Sequence, residues 1–292
     1  MPLRRADDRA VLNTLNTRLD AEILAFTLDH AETKVLIVDR EFSKAMTAAL
    51  ANARVKPLLI DVNDPEYHGA GEPISDFDYE ALLAEAEPGE APQWAGDEWD
   101  AISLNYTSGT TGDPKGVVYH HRGAHLLATG NVVTGNMGKH PVYLWTLPMF
   151  HCNGWCFTWS VSVTAGTHVC LRQVRAKAMY DAIADHGVTH LCGAPIVMAT
   201  LINAPEDEKR PLPRQVAFFT AAAPPPEAVL AGMKDDGLRG DASLRAHRTY
   251  GPPVVNDGTR TGRSSTLPGQ AKRKARQGVR YAALEDFPRH RP

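Results

Sequence analysis

The chain has 292 residues, 43% of them hydrophobic and 22% charged, with a formal net charge of −3. This is the composition of a soluble globular protein with one large or two small domains. It gives no sign of a nucleic-acid or acidic-membrane surface, and no apolar run approaches the ~20 residues of a membrane span. The segment Met1–Asp8 lacks the apolar core of a secretory signal, and the four cysteines (Cys152, Cys156, Cys170, Cys192) follow no framework spacing. Together these features predict a reduced, cytoplasmic setting.

In chain order, Val11–Arg18 reads as a strand end running into a polar turn. Asp20 and Glu22 favour a helix start through the dipole, and Leu24, Leu28 and Ala31 continue it at helical spacing. Lys34–Val38 and Pro57–Val62 read as buried strands flanking an alanine-rich helix at Phe42–Ala53. That rhythm predicts a parallel α/β sheet. Asn63–Asp100, rich in proline, glycine and acids, reads as an irregular excursion with one short helix near Tyr79, Leu82 and Leu83.

The most specified stretch is Tyr106–Gly116, Tyr-Thr-Ser-Gly-Thr-Thr-Gly-Asp-Pro-Lys-Gly. The apolar runs Ala101–Leu104 and Gly116–Tyr119 predict strands on either side of it. Glycines let backbone N–H groups approach a ligand closely. The hydroxyls of Thr107, Ser108, Thr110 and Thr111 are donors to phosphate oxygens, and Lys115 adds a mobile charge. The order of these residues points to a polyphosphate cradle. It is not a Walker A loop, because Gly-x4-Gly-Lys-Ser/Thr is absent.

Beyond it, a helix is expected at Gly123–Asn136 and a strand at Val142–Leu147. Pro148–Trp155 then leads into an aromatic segment reaching Val163. Thr167–Leu171, His190–Gly193 and Val216–Thr220 read as strands. Arg175–His186 reads as an amphipathic helix with Ala178, Ala182 and Ile183 inward, and Pro195–Asn203 and Pro225–Lys234 as further helices. Arg239–Arg248 has no apolar period, Gly258–Lys274 is basic and polar, and Val279–Leu284 is a strand candidate. His151, Cys152 and Cys156 lie close in sequence, but no second ligand pair at zinc spacing follows. A packing role is expected for them, and no metal site is assigned.

Tyr106–Gly116 resembles the AMP-binding signature of the adenylate-forming enzymes along its whole length. The resemblance is to the acyl-CoA synthetases, most like their medium-chain fatty-acyl branch. It implies an α/β fold: part of the large N-terminal domain, with layered α/β sheets, lacking most of the first lobe and the C-terminal lid. The incomplete adenylation core is expected at 10–237 and a degenerate tail at 238–292. The implied activity is ATP-dependent conversion of a carboxylic (fatty) acid to acyl-adenylate and then to acyl-CoA. ATP, Mg2+ and coenzyme A are the implied small molecules.

By position in the family motifs, Thr107 and Lys115 are implied as catalytic. ATP contacts are implied at Thr107, Ser108, Gly109, Thr110, Thr111, Gly112 and Lys115. The small-residue run Ala222, Ala223 and Pro224 is implied along the adenine face, although the glycine usual there is missing. His151 and Trp155 are implied to line the acyl channel. Tyr250 and Gly251 match the start of the family's Tyr-Gly-x-Thr-Glu motif, but no Thr-Glu pair follows. The chain also stops before the family's ribose-binding aspartate and catalytic lid lysine. It is therefore expected not to complete the synthetase cycle. Two rivals remain open: a nucleotide-binding relic without turnover, and an adenylating enzyme with an acceptor other than coenzyme A.

Overall fold

The computed structural model describes residues 10–87, 96–107 and 114–221. Beyond these it describes residues 229 and 233 and strands at 238–244, 254–255 and 279–280. The chain divides into two compact units, 1–118 and 119–292.

In the first unit, β1 (Leu12–Asn13) is followed by α1 (Ala21–His30). Asp20 caps α1, its Oδ1 accepting the Ile23 N–H at 2.9 Å, as an N-cap acid should. Strand β2 (Val35–Asp39), helix α2 (Ser43–Asn52) and strand β3 (Leu58–Val62) come next, and β2 and β3 pair in parallel from Val35↔Leu58 to Asp39↔Val62. Among the described residues, Leu24, Ala25 and Leu28 of α1 cluster with Leu36 and Val38 of β2 and Met46 and Ala49 of α2 in one core.

The long excursion after β3 is anchored by one buried acid. Asp61 Oδ2 accepts the backbone N–H groups of Ile74 and Ser75, each at 2.8 Å. Helix α3 (Tyr79–Ala84) is the short helix expected there. Strand β4 (Ala101–Tyr106) then pairs in parallel with β1, and β5 (Gly116–His120) completes the order β1-β4-β5.

In the second unit, α4 (His121–Thr134) precedes β6 (Val142–Trp145). Two short helical segments follow, α5 (Cys152–Trp155) and α6 (Phe157–Val163), then β7 (Thr167–Cys170), α7 (Ala176–His186) and β8 (His190–Gly193). Helix α8 (Pro195–Ile202), β9 (Val216–Ala221) and β10 (Leu238–Leu244) continue the alternation. A separate antiparallel pair joins β11 (Val254–Val255) to β12 (Val279–Arg280).

The main sheet has the order β10-β9-β8-β6-β7 with every pairing parallel. Its central strands β6, β8 and β9 are mostly buried on both faces, as the middle of a sheet covered on both sides requires. Leu144, Leu191 and Phe218 pack with Met179, Ile183 and Met198 in one core. Their neighbours Tyr143, Cys192 and Phe219 pack with Phe157 and Val161 in another.

Three details differ from the sequence reading. The buried residues of α7 are Ala176, Met179, Tyr180, Ala182 and Ile183. Ala178, expected inward, is only half-buried, because the larger side chains set the orientation of the stripe. The expected strand Val142–Leu147 ends at Trp145. Leu238–Leu244 forms a strand although its sequence lacks an apolar period, because the β9 ladder supplies the hydrogen-bonding partners. The expected helix at Pro225–Lys234 lies almost wholly outside the described residues.

Candidate active site

The described residues singled out in the sequence fall in two segments, one in each unit. In the first, the phosphate-type loop is closed at its neck. The Thr107 N–H donates to the Lys115 carbonyl at 3.0 Å, and the Lys115 N–H donates back to Thr107 Oγ1 at 3.3 Å. Ser108, Gly109, Thr110, Thr111 and Gly112 lie between these ends, outside the described residues. Lys115 is exposed at the neck.

The strand leading in is fixed as well. Tyr106 Oη lies 2.7 Å from His30 Nδ1, the two rings meet edge-on, and His30 stacks on Phe26. Partial burial pushes the Tyr106 phenol up, so it stays a neutral hydrogen-bonding group near pH 7. Gly116 begins the outgoing strand, where a β-carbon would come within 3.0 Å of Leu104 Cδ1. The neck of the loop is thus held by backbone, by an aromatic pair and by close packing.

The second segment follows from the sheet order. Along the chain β6 comes first, β7 is added on one side, and β8, β9 and β10 build outward on the other. The strand order therefore reverses between β6 and β8. In open parallel α/β sheets, ligands bind outside the carboxyl ends of the strands at such a reversal. The residues leaving the carboxyl end of β6 are Thr146–Trp155, which include His151 and Trp155. Thr146 Oγ1 donates to the carbonyl of Cys192 on β8, joining the two strands at this end. Ala222, Ala223 and Pro224 follow the carboxyl end of β9 directly in sequence and lie outside the described residues, as do Tyr250 and Gly251.

The segment after β6 has an unusual backbone. Cys152, Asn153, Gly154, Trp155 and Cys156 all have positive φ, from 43° to 64°. Asn153 and Gly154 also have left-handed ψ values of 52° and 44°. This is a full left-handed turn, and four of its five residues carry a β-carbon. Cys152, Trp155 and Cys156 each cost about 1–2 kcal/mol there, whereas Asn153 is of a type that visits this region, so the surroundings must hold the turn. Strain of this kind concentrates at functional sites.

The restraints are visible. The Trp155 N–H donates to the His151 carbonyl at 3.2 Å. Asn131 Nδ2, from α4, donates to the Trp155 carbonyl at 3.0 Å and to Ser160 Oγ at 3.1 Å. The indole of Trp145 occupies the space beside Gly154. Trp145 is itself fixed, its Nε1–H donating to His168 Nδ1 at 2.9 Å. Partial burial holds His168 below the usual imidazole value, which keeps Nδ1 free to accept.

At the mouth of the turn, His151 is exposed and its ring lies 4.6 Å from that of Phe150. Trp155 is half-buried against the aromatic core of Tyr143, Trp145 and Phe157. The two thiols have separate partners. Cys156 Sγ–H donates to the Ala124 carbonyl, and Cys152 Sγ accepts from Tyr119 Oη at 3.7 Å. Burial pushes both thiols up.

The sequence reading singled out His151 and Trp155 but not Asn131, Trp145, Gly154 or His168. A signal for Asn131 was present: an asparagine inside an apolar helix is a poor helix former and needs a side-chain partner.

These features agree with the comparisons to known proteins. The model of the AMP-binding enzyme family matches residues 9–253, and the chain belongs to that family. It is 45% identical over 290 residues to an acetate/butyrate–CoA ligase, peroxisomal AAE7 of Arabidopsis thaliana, covering 95% of this chain and 51% of that protein. It is 38% identical over 291 residues to a peroxisomal trans-cinnamate:CoA ligase of Petunia hybrida, again covering 95% of this chain and 51% of the relative. Among solved structures, the inhibitor-bound N-terminal domain of FACL13 from Mycobacterium tuberculosis matches with a TM-score of 0.69 at 24% identity. It covers 83% of this chain and 58% of that one, a likeness of fold. The chain spans about half the length of the curated relatives it matches.

The relatives overturn the cytoplasmic expectation, because those of Arabidopsis and Petunia are named as peroxisomal. The physical reason is simple. Sparse cysteines and the lack of an apolar leader argue against the secretory route, but a peroxisomal address is a short receptor-read signal that composition does not carry.

Proposed function

We propose that this protein activates a carboxylic acid with MgATP, giving acyl-adenylate and pyrophosphate, and passes the acyl group to coenzyme A. The adenylation core is assigned to 10–237. The observation that carries the reading is the closed neck at Thr107 and Lys115, which fixes both ends of a hydroxyl- and glycine-rich loop with an exposed lysine beside it. Such a cradle stabilises charge on phosphates as pyrophosphate departs.

In this reading an acid oxygen attacks the α-phosphorus, and the bond to the bridging oxygen breaks toward pyrophosphate. Thr107–Gly112 and Lys115 hold the β and γ phosphates, and Mg2+ enters with ATP as part of the substrate. Ala222, Ala223 and Pro224 lie along the adenine, with Tyr250 and Gly251 near the nucleotide. His151 contacts the acid's polar end, and Trp155 bounds the acyl chain. The coenzyme A thiolate then attacks the acyl carbonyl and AMP leaves. The name of the Arabidopsis relative supports short acids, so acetate, butyrate and octanoate are the acids to compare.

One observation favours a second reading, nucleotide binding without turnover. Val254 stands where the Tyr-Gly-x-Thr-Glu pattern would have its glutamate, and it lies in β11, paired with Arg280. Valine offers no oxygen to a metal that seeks oxygen ligands. The test is ATP–pyrophosphate exchange with each acid beside direct measurement of MgATP binding. Acid-dependent exchange supports activation, binding without exchange supports the second reading, and absence of binding contradicts both. Adding coenzyme A then tests the thioester step by mass spectrometry.

A further inference from the structure

We propose that Asn131 is a positioning residue for acid recognition: from α4 it clamps the left-handed turn that carries His151 and Trp155. The inference rests on the reading of those two residues as the acid-binding pair. Asn131 is 1% exposed, so its carboxamide nitrogen takes its partners from inside the protein. It spends its donors on the Trp155 carbonyl, within the turn, and on Ser160 Oγ, just beyond it. Ser160 Oγ in turn contacts the carbonyls of Ala128 and Cys156 at 3.3 and 3.1 Å. One side chain on α4 therefore ties the end of the turn to the middle of α6.

Trp145 packs against the turn at Gly154. A β-carbon at position 154 would fall 2.3 Å from Trp145 Cζ3 and 2.7 Å from Cη2. The turn is held by a carboxamide at Trp155 and by an indole at Gly154. A right-handed backbone, the lower-energy state for four of its residues, would move the Trp155 carbonyl away from Asn131. Releasing the clamp lets Trp155 shift, and the His151 carbonyl it is bonded to shifts with it. An acid-binding pair displaced by even ~1 Å loses much of its effect. The neck at Thr107 and Lys115 has its own hydrogen bonds, so ATP affinity should not follow. A purely structural role for Asn131 predicts something else: less folded protein, with KM unchanged for both substrates.

The test uses Asn131→Ala and the isosteric Asn131→Asp, which keeps the shape but turns an oxygen toward the Trp155 carbonyl. Exchange is measured with butyrate and ATP varied separately. The expected result is a KM for butyrate raised about tenfold, with the KM for ATP within about twofold. A fall in kcat alone, with both KM values unchanged, overturns the proposal.

A second readout needs no turnover. In the 15N-labelled protein, the Trp155 indole resonance should shift in a folded Asn131 variant while that of Trp99 stays in place. A Trp155 resonance that does not move overturns the clamp. If the parent shows no butyrate-dependent exchange, the functional reading fails by itself, and the Trp155 resonance still decides whether Asn131 positions the turn.

Discussion

Trp145 and Gly154 occupy space that only a glycine at 154 can share: the indole Cζ3 lies 2.3 Å from where a β-carbon would stand. The φ of +63° at Gly154 adds a second penalty for any side chain there. Gly154→Ala should therefore destabilise the second unit by about 3 kcal/mol, combining overpacking with left-handed strain. Urea denaturation checks this. A midpoint equal to that of the parent would mean that the turn can relax without cost.

Asp29 links the end of α1 to the chain entering β3. Its carboxylate accepts the N–H groups of Val55 and Arg54 at 2.9 and 2.8 Å, with the Arg54 guanidinium at 3.1 Å. The Val55 N–H, with the Arg54 groups behind it, holds the Asp29 carboxyl below its ordinary 3.8. A lowered folded value means that the contribution is complete above the unfolded value and fades as pH falls through the folded one. Asp29→Ala should cost more stability at about pH 7 than at about pH 3. Denaturation curves at both pH values check it, and an equal loss at both would contradict the assignment.

The cysteines should separate by burial. Cys156 and Cys192 are buried, Cys152 is half-buried and Cys170 is exposed. Burial pushes all four thiols up, Cys156 and Cys192 far up, so reactive thiolate is scarce in the folded chain. With iodoacetamide at mildly alkaline pH, Cys170 should be alkylated first, and Cys156 and Cys192 only after denaturant is added. Peptide mass spectrometry reads the order. Rapid labelling of Cys192 in the native chain would mean that the β6–β8 core is not formed as described.

How much of this was legible beforehand depended on whether a feature is local. The runs Val35–Val38, His190–Gly193 and Val216–Thr220 are short and apolar, and all three form strands. Their alternation with helices was enough to expect a parallel sheet. The loop sequence marked its own ends, and Thr107 and Lys115 do meet. His151 and Trp155 could be singled out, but not the backbone that presents them. Asn153-Gly154 is a pair that favours the left-handed region, but Cys152, Trp155 and Cys156 have no such local reason; Asn131 and Trp145, distant in sequence, hold them there. Ala178 was placed inward by spacing alone, and the larger Met179 and Tyr180 took the core instead.

The central claim is that the Thr107–Lys115 loop holds the phosphates of MgATP while a carboxylic acid is activated. The most direct measurement is butyrate-dependent exchange of labelled pyrophosphate into ATP, in the parent chain and in Lys115→Ala, with melting temperature recorded for both. Exchange is expected in the parent and a loss of roughly a hundredfold in the variant, the scale for removing one preorganised donor. The melting temperature should barely change, because Lys115 is exposed. Equal exchange in both chains, or equal MgATP binding in both, would contradict it.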